Sequence, residues 1–166
     1  MRLRRKLISA HAARFGWGTS TTQCFTYASC DRIGNAQILS RVGIAYGGGT
    51  AEPLHLAKTA WLEDPAWQPL RKHVELMLVE MDWGKGMVAL DVTDRLVYDL
   101  LYAHLDDPAI GAGARSYSPV AQHLSTWFAD QRRWFDALYK AWVADPECGE
   151  ANRALLAEIV ALGWCG

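Results

Sequence analysis

Residues 119–144 read PVAQHLSTWFADQRRWFDALYKAWVA, and the spacing in this stretch decides the fold. Leu124, Trp127, Phe128, Trp134, Phe135, Leu138, Tyr139 and Trp142 recur at intervals of three and four, which gathers them on one face of a helix. Arg133, Asp136 and Lys140 fall on the other face. Gln131 sits near the middle of the apolar stripe, where its amide is predicted to be a hydrogen-bonded core or interface group. Asp145 and Pro146 end the run, since proline cannot continue a helix. Elsewhere the chain shows no sustained period-two alternation between turn signals. The expected class is all-α, a helical bundle.

The flanking segments follow the same logic. Upstream, a long helix is predicted over 19–46, stopped by Gly47, Gly48 and Gly49. Its packing stripe runs through Phe25, Ala28, Ser29, Arg32, Ala36, Leu39, Ser40 and Gly43, with small residues that allow close approach. Thr50 is a plausible N-cap for a short helix through Leu62, and Pro65 suits the first turn of the next. That next helix has the stripe Leu70, Val74, Met77, Leu78 and Met81. Beyond Gly84 and Gly86, the run MVALDVTDRLVYDLLYAHL reaches Leu105, either as a bent continuation or as a new helix. Residues 106–118 read as a loop. Downstream, GEANRALLAEIVAL forms a final helix before the tail GWCG. The organisation expected is an N-terminal segment, 1–18, and one helical domain, 19–163.

Composition narrows the function classes. A length of 166 residues suits one domain with a real core. Basic and acidic residues number 17 and 18, so no broad cationic surface is available for nucleic acid. Eight tryptophans against four phenylalanines favour rings that serve interiors and interfaces alike. Cys24, Cys30, Cys148 and Cys165 form no Cys-x-x-Cys pair and read as reduced cytosolic thiols. His11 interrupts the apolar run after the basic start MRLRRK, so a secretory signal is not expected. No run approaches the roughly 20 apolar residues that cross a bilayer, and a soluble chain is expected.

A carboxylate-rich bundle raises the question of a diiron site, which takes a Glu-x-x-His pair from each of two helices. The chain supplies one such pair, Glu52 and His55, at a helix start where an acidic residue already favours the helix dipole. His73 and Glu80 share a helical face but stand roughly 10 Å apart along the axis. Glu75 and Asp82 project to a different flank. His104 and His123 have no companion motif, and no Gly-x-Ser-x-Gly elbow appears. No catalytic or metal-binding residue is assigned.

DRIGNAQILSRVGIA (31–45), AKTAWLEDPAWQPLRKHVELMLVEMDW (57–83), LSTWFADQRRWFDALYKAW (124–142) and ANRALLAEI (151–159) together resemble the β subunit of the hydroxylase of bacterial multicomponent monooxygenases. The phenol hydroxylase and toluene monooxygenase branch is the nearest match, and the resemblance runs from about Phe15 to Ile159. It implies a ferritin-like, non-catalytic subunit that scaffolds a larger α subunit holding the diiron centre. It also implies an NADH-fed reductase, an effector protein and a possible small third subunit, in an assembly that hydroxylates phenols, other aromatics or small hydrocarbons. Against the family pattern the chain looks shortened at both ends.

On this reading Trp127, Trp134 and Trp142 are the candidate partner-interface residues, because large rings concentrate binding energy at buried contacts. Their other role is intrachain core. The rival readings are a self-contained helical metalloenzyme, built on Glu52, His55, His73, Glu75 and Glu80, and a plain helical adaptor or truncated remnant.

Overall fold

A computed structural model describes the backbone of residues 2–103 and 117–162, and the side chains of 7–102 and 117–161. The described residues contain helices and no strand. In chain order the helices are α1 (Arg2–Phe15), α2 (Thr19–Tyr46), α3 (Glu52–Glu63), α4 (Gln68–Val79), α5 (Trp83–Tyr98), α6 (Tyr117–Val143) and α7 (Gly149–Leu162). A tight 3₁₀ turn, Pro65–Trp67, precedes α4, and a wider π-type turn, Asp99–Ala103, extends α5.

Helix α6 begins at Tyr117, slightly ahead of the predicted Pro119, and ends at Val143 as its sequence indicates. Leu124, Phe128, Gln131 and Phe135 are buried along one face, and Phe25 of α2 meets Trp134 and Phe135 edge-on. Among the described residues, three apolar clusters fill the bundle. The first joins Ala12, Phe25, Met87, Val88 and Phe135 across α1, α2, α5 and α6. The second joins Tyr98, Tyr102, Ala121, Leu124 and Phe128. The third, of Ile8, Val74, Met77 and Leu90, seals α4 onto α1 and α5.

The structure differs from the sequence expectations at several points, each with a local cause. Within the N-terminal stretch, α1 places Ile8 and Ala12, four residues apart, in two core clusters. Thr50 is not the cap of α3. Its hydroxyl donates to the Gly47 carbonyl, and Ala51 takes the cap position without a side-chain bond. The three glycines do stop α2, with Gly48 and Gly49 at φ of 64° and 91°. These are left-handed values that cost glycine nothing.

Met81 leaves the predicted stripe, because α4 ends at Val79 and Met81 is 82% exposed. The chain starts a new helix there instead of bending. Asp82 caps α5, its Oδ1 accepting from the backbone N–H groups of Gly84 and Lys85 at 2.8 and 3.1 Å. The predicted loop and the end of the α5 run lie largely outside the described residues, 104–116, together with His104 and Leu105.

Candidate functional site

The bundle's centre holds charge. On α5, Asp91 and Asp94 stand one turn apart in an apolar run, and only 2% and 1% of their surfaces are exposed. Asp94 faces α2, where Arg32 Nη2 donates to its Oδ2 at 2.5 Å. Arg32 is 5% exposed, and its guanidinium also lies 5.4 Å above the Trp127 ring. Asp91 faces α6, where the Tyr139 hydroxyl donates to its Oδ2 at 3.1 Å. Arg95, one turn along α5, donates to the same Oδ2 at 3.0 Å and to Asp136 Oδ1 at 2.7 Å. Asp136 was placed on the outward polar face by its sequence position; Arg95 reaches it there and ties α6 to α5.

These contacts set the protonation behaviour. Burial disfavours the Arg32 cation, yet Asp94 more than compensates and holds its pKa above the ordinary arginine value. Burial likewise works against the Arg95 charge, and Asp136 and Asp91 outweigh it. Burial pushes the Asp91 carboxyl above its ordinary range, against the pull of Arg95 and Tyr139. Burial and the adjacent Asp91 push the Tyr139 phenol upward.

A metal would need several anionic or imidazole donors converging on one point. Among the described residues no group of three His, Cys, Asp or Glu side chains does so. The two buried carboxylates are already matched by guanidinium groups, so cationic side chains fill the place a cation would take. Among the described residues the donors Arg32 Nε and Asn35 Nδ2 and the acceptor Asp91 Oδ1 are buried without a hydrogen-bond partner. The residues of this centre do not fit iron.

The sequence-derived candidates are scattered. Glu52 and His55 are exposed on α3. The His73 ring bonds Thr93 Oγ1 at 2.8 Å, while Glu75 pairs with Arg71 and Glu80 accepts from the Asp82 backbone N–H. His123 is exposed. Gln131 is buried as expected, although its Oε1 finds no partner. Trp127, Trp134 and Trp142 are half-buried, and each ring packs within the chain: on Tyr98 and Arg32, on Phe25 and Phe135, and on Trp83 and Tyr139. What they can offer a partner is the uncovered edge. Cys24, Cys30 and Cys148 are free thiols. No helix among the described residues is long and apolar enough to cross a membrane.

The Arg32–Asp94 and Arg95–Asp91 pairs were not assigned from sequence, though both left a signal. Arg32 falls on the packing stripe of α2, and Asp91 and Asp94 interrupt an apolar run at a spacing of three. A charge on a packing face calls for a buried counter-charge.

A helical bundle with a polar centre closed by arginines is what the geometry defines, and known structures give it a class. A chain of phenol hydroxylase from Pseudomonas sp. OX1, solved under xenon pressure, superposes with a TM-score of 0.90 over 97% of this chain at 30% identity. The fold is thus all-α and ferritin-like. Residues 5–146 match the Methane/Phenol/Alkene Hydroxylase family, and the chain belongs to that family. It is 36% identical over 135 residues to the phenol 2-monooxygenase oxygenase component DmpL of Pseudomonas sp. (strain CF600). It is 34% identical over 145 residues to the corresponding component MhpL of Acinetobacter pittii (strain PHEA-2). A further relative, 29% identical over 111 residues, is the propane 2-monooxygenase hydroxylase component small subunit of Mycolicibacterium goodii. These matches cover 81%, 87% and 66% of this chain but 40%, 43% and 29% of the relatives, and 48% of the phenol hydroxylase chain. The chain spans less than half the length of the curated relatives it matches.

Proposed function

We propose that this chain serves as a non-catalytic β-type subunit of a diiron monooxygenase hydroxylase, scaffolding a larger α subunit that holds the irons. The observation that carries the reading is the arginine-closed centre. Asp91 and Asp94 are engaged by Arg95 and Arg32, so the bundle's buried carboxylates face cations of the chain itself, whereas a diiron site needs carboxylates and Glu-x-x-His pairs turned to a shared point. The small-subunit relative from Mycolicibacterium goodii supports the same role.

In this reading the substrate, phenol or a related aromatic or small hydrocarbon, is chosen by the α subunit. Electrons come from NADH through a reductase, and an effector protein and a small third subunit complete a cytoplasmic assembly. The uncovered edges of Trp127, Trp134 and Trp142 contribute contacts to the α subunit. The test is co-expression with the larger subunit of a phenol hydroxylase, followed by NADH-driven phenol hydroxylation with reductase and effector added. Co-elution, and hydroxylation that falls when this chain is omitted, are expected; full activity without the chain would contradict the reading.

A further inference from the structure

Tyr139 of α6 donates its hydroxyl proton to a buried carboxylate. The bond to Asp91 Oδ2 is 3.1 Å long, and Asp91 is 2% exposed. Around this phenol the rings form a series. Trp142 lies 6.2 Å from Tyr139 and Trp83 lies 5.9 Å from Trp142, both within the roughly 4.5–7 Å of packed aromatic pairs. Trp83 and Trp142 are half-buried, and Trp83 lines a surface pocket of about 300 Å³ together with His11 and Glu80. On its other side Tyr139 meets Phe135 at 5.9 Å.

Indole and phenol rings in such contact exchange electrons readily, whereas a phenyl ring has no comparable one-electron couple. An electron can leave Tyr139 by way of Trp142 and Trp83, and Phe135 offers no further step. Along these contacts the series leads from half-buried indoles to one phenol and stops there.

The proton decides whether that phenol takes part. Burial and the adjacent Asp91 push the Tyr139 pKa upward, so the group is a neutral phenol at ordinary pH. A phenol that loses an electron becomes a strong acid, and its proton needs an acceptor already in place. Asp91 supplies one along the existing bond. Burial makes its carboxylate a stronger base than an exposed one, while the Arg95 cation at 3.0 Å favours the charged form. Arg95 is held in turn by Asp136 at 2.7 Å, and Asp94, the other buried carboxylate of α5, is engaged by Arg32.

We propose that Tyr139 is a reversible one-electron redox site, with Asp91 as its proton acceptor and Trp142 and Trp83 as its route to the surface. The co-reactant is a one-electron oxidant of high potential, an oxidising radical or a metal complex, which takes one electron through Trp83 and Trp142 and is reduced by one. Tyr139 loses that electron, and its hydroxyl proton passes to Asp91 Oδ2. A neutral phenoxyl radical and a carboxylic acid then share the same hydrogen bond. A one-electron donor such as ascorbate reverses the step, and the proton returns to the phenol. The site lies within this chain and stands whether or not the subunit reading holds.

The experiment oxidises the full chain with a photogenerated ruthenium(III) polypyridine complex and follows the phenoxyl radical by transient absorbance and electron paramagnetic resonance. Tyr27 and Tyr46, 68% and 53% exposed, are replaced by Phe in every protein, and accessible thiols are alkylated, so that surface groups do not react first. The expected result is a phenoxyl signal that Tyr139→Phe lowers at least about tenfold. It should form at least about tenfold more slowly in Trp142→Phe and in Asp91→Asn, slow in deuterium oxide, and vanish on adding ascorbate with the starting protein recovered. A signal of parental strength in Tyr139→Phe, or no phenoxyl signal in any protein, would overturn the site. An unchanged rate in Trp142→Phe would overturn the route. An unchanged rate in Asp91→Asn, or no isotope effect in the parent, would overturn the proton acceptor; the isotope effect needs no substitution and so reads the proton step even where a variant unfolds.

Discussion

Helix α2 is continuous, yet its two halves live in different surroundings. Thr19–Asn35 holds every buried side chain of the helix: Phe25, Ala28, Arg32 and Asn35. Ala36–Tyr46 holds none, and neither does α3, the helix that folds back beside it. The inner half lies against α6, where Phe25 meets Trp134 and Arg32 covers Trp127. The outer half has α3 alongside, with Leu39 touching the edge of the Tyr98 cluster. One sequence pattern of small and apolar residues serves both halves. What differs is the number of neighbours, and with it the free energy each side chain contributes.

That contrast can be broken most severely at Arg32. Arg32→Met leaves the Asp94 carboxylate, 1% exposed, without its partner, and should cost about 3–5 kcal/mol in urea unfolding. Adding Asp94→Leu should return most of the loss, because removing both charges ends the desolvation penalty. A single variant as stable as wild type would show that the pair contributes nothing to the inner half.

Phe25→Ala should follow, at about 3–4 kcal/mol, since the ring is 1% exposed and joins the first cluster from α2. Gly49→Ala, in the turn that joins the outer half to α3, should cost about 1 kcal/mol because φ there is 91°. A stability unchanged within error would remove the turn from consideration as the helix stop.

Asp91 sharpens the comparison through pH. Its folded pKa is raised, so the folded state holds the proton more tightly than the unfolded chain does. The stability it contributes is full below the ordinary carboxylate pKa of about 3.9 and is lost as pH rises through the raised value. Stability of wild type relative to Asp91→Asn should therefore decline as pH rises above about 4. Parallel curves for the two proteins would sink this assignment. Smallest of all, Leu56→Ala on α3 should change the stability of the isolated chain by less than about 0.5 kcal/mol, because the side chain is 62% exposed.

Much of this architecture is legible in the sequence, for physical reasons. The α6 stripe and the glycine stop of α2 are local signals, and local periodicity and backbone freedom decide them. Asp82 as the cap of α5 was not assigned, although its signal is equally local: a capping carboxylate directly precedes Trp83 and Gly84. Met81 was misplaced because periodicity alone does not say where a helix ends. The Ile8 and Ala12 spacing that buries α1 is local too, but it was not read from the sequence.

The polar centre was only half visible. Arg32 on the packing stripe, and Asp91 and Asp94 in an apolar run, announce buried charge. Which carboxylate meets which arginine depends on how α2, α5 and α6 cross, and that information is tertiary.

The most direct test of the central claim is the iron content of each component after reconstitution. The isolated chain and the larger hydroxylase subunit are purified separately, loaded with ferrous iron, desalted and assayed alone and as the complex. Iron retained by the complex and by the larger subunit, with none held by this chain, is the expected result. Stoichiometric, tightly held iron on this chain by itself would contradict the scaffold role and restore the reading of a self-contained metalloenzyme.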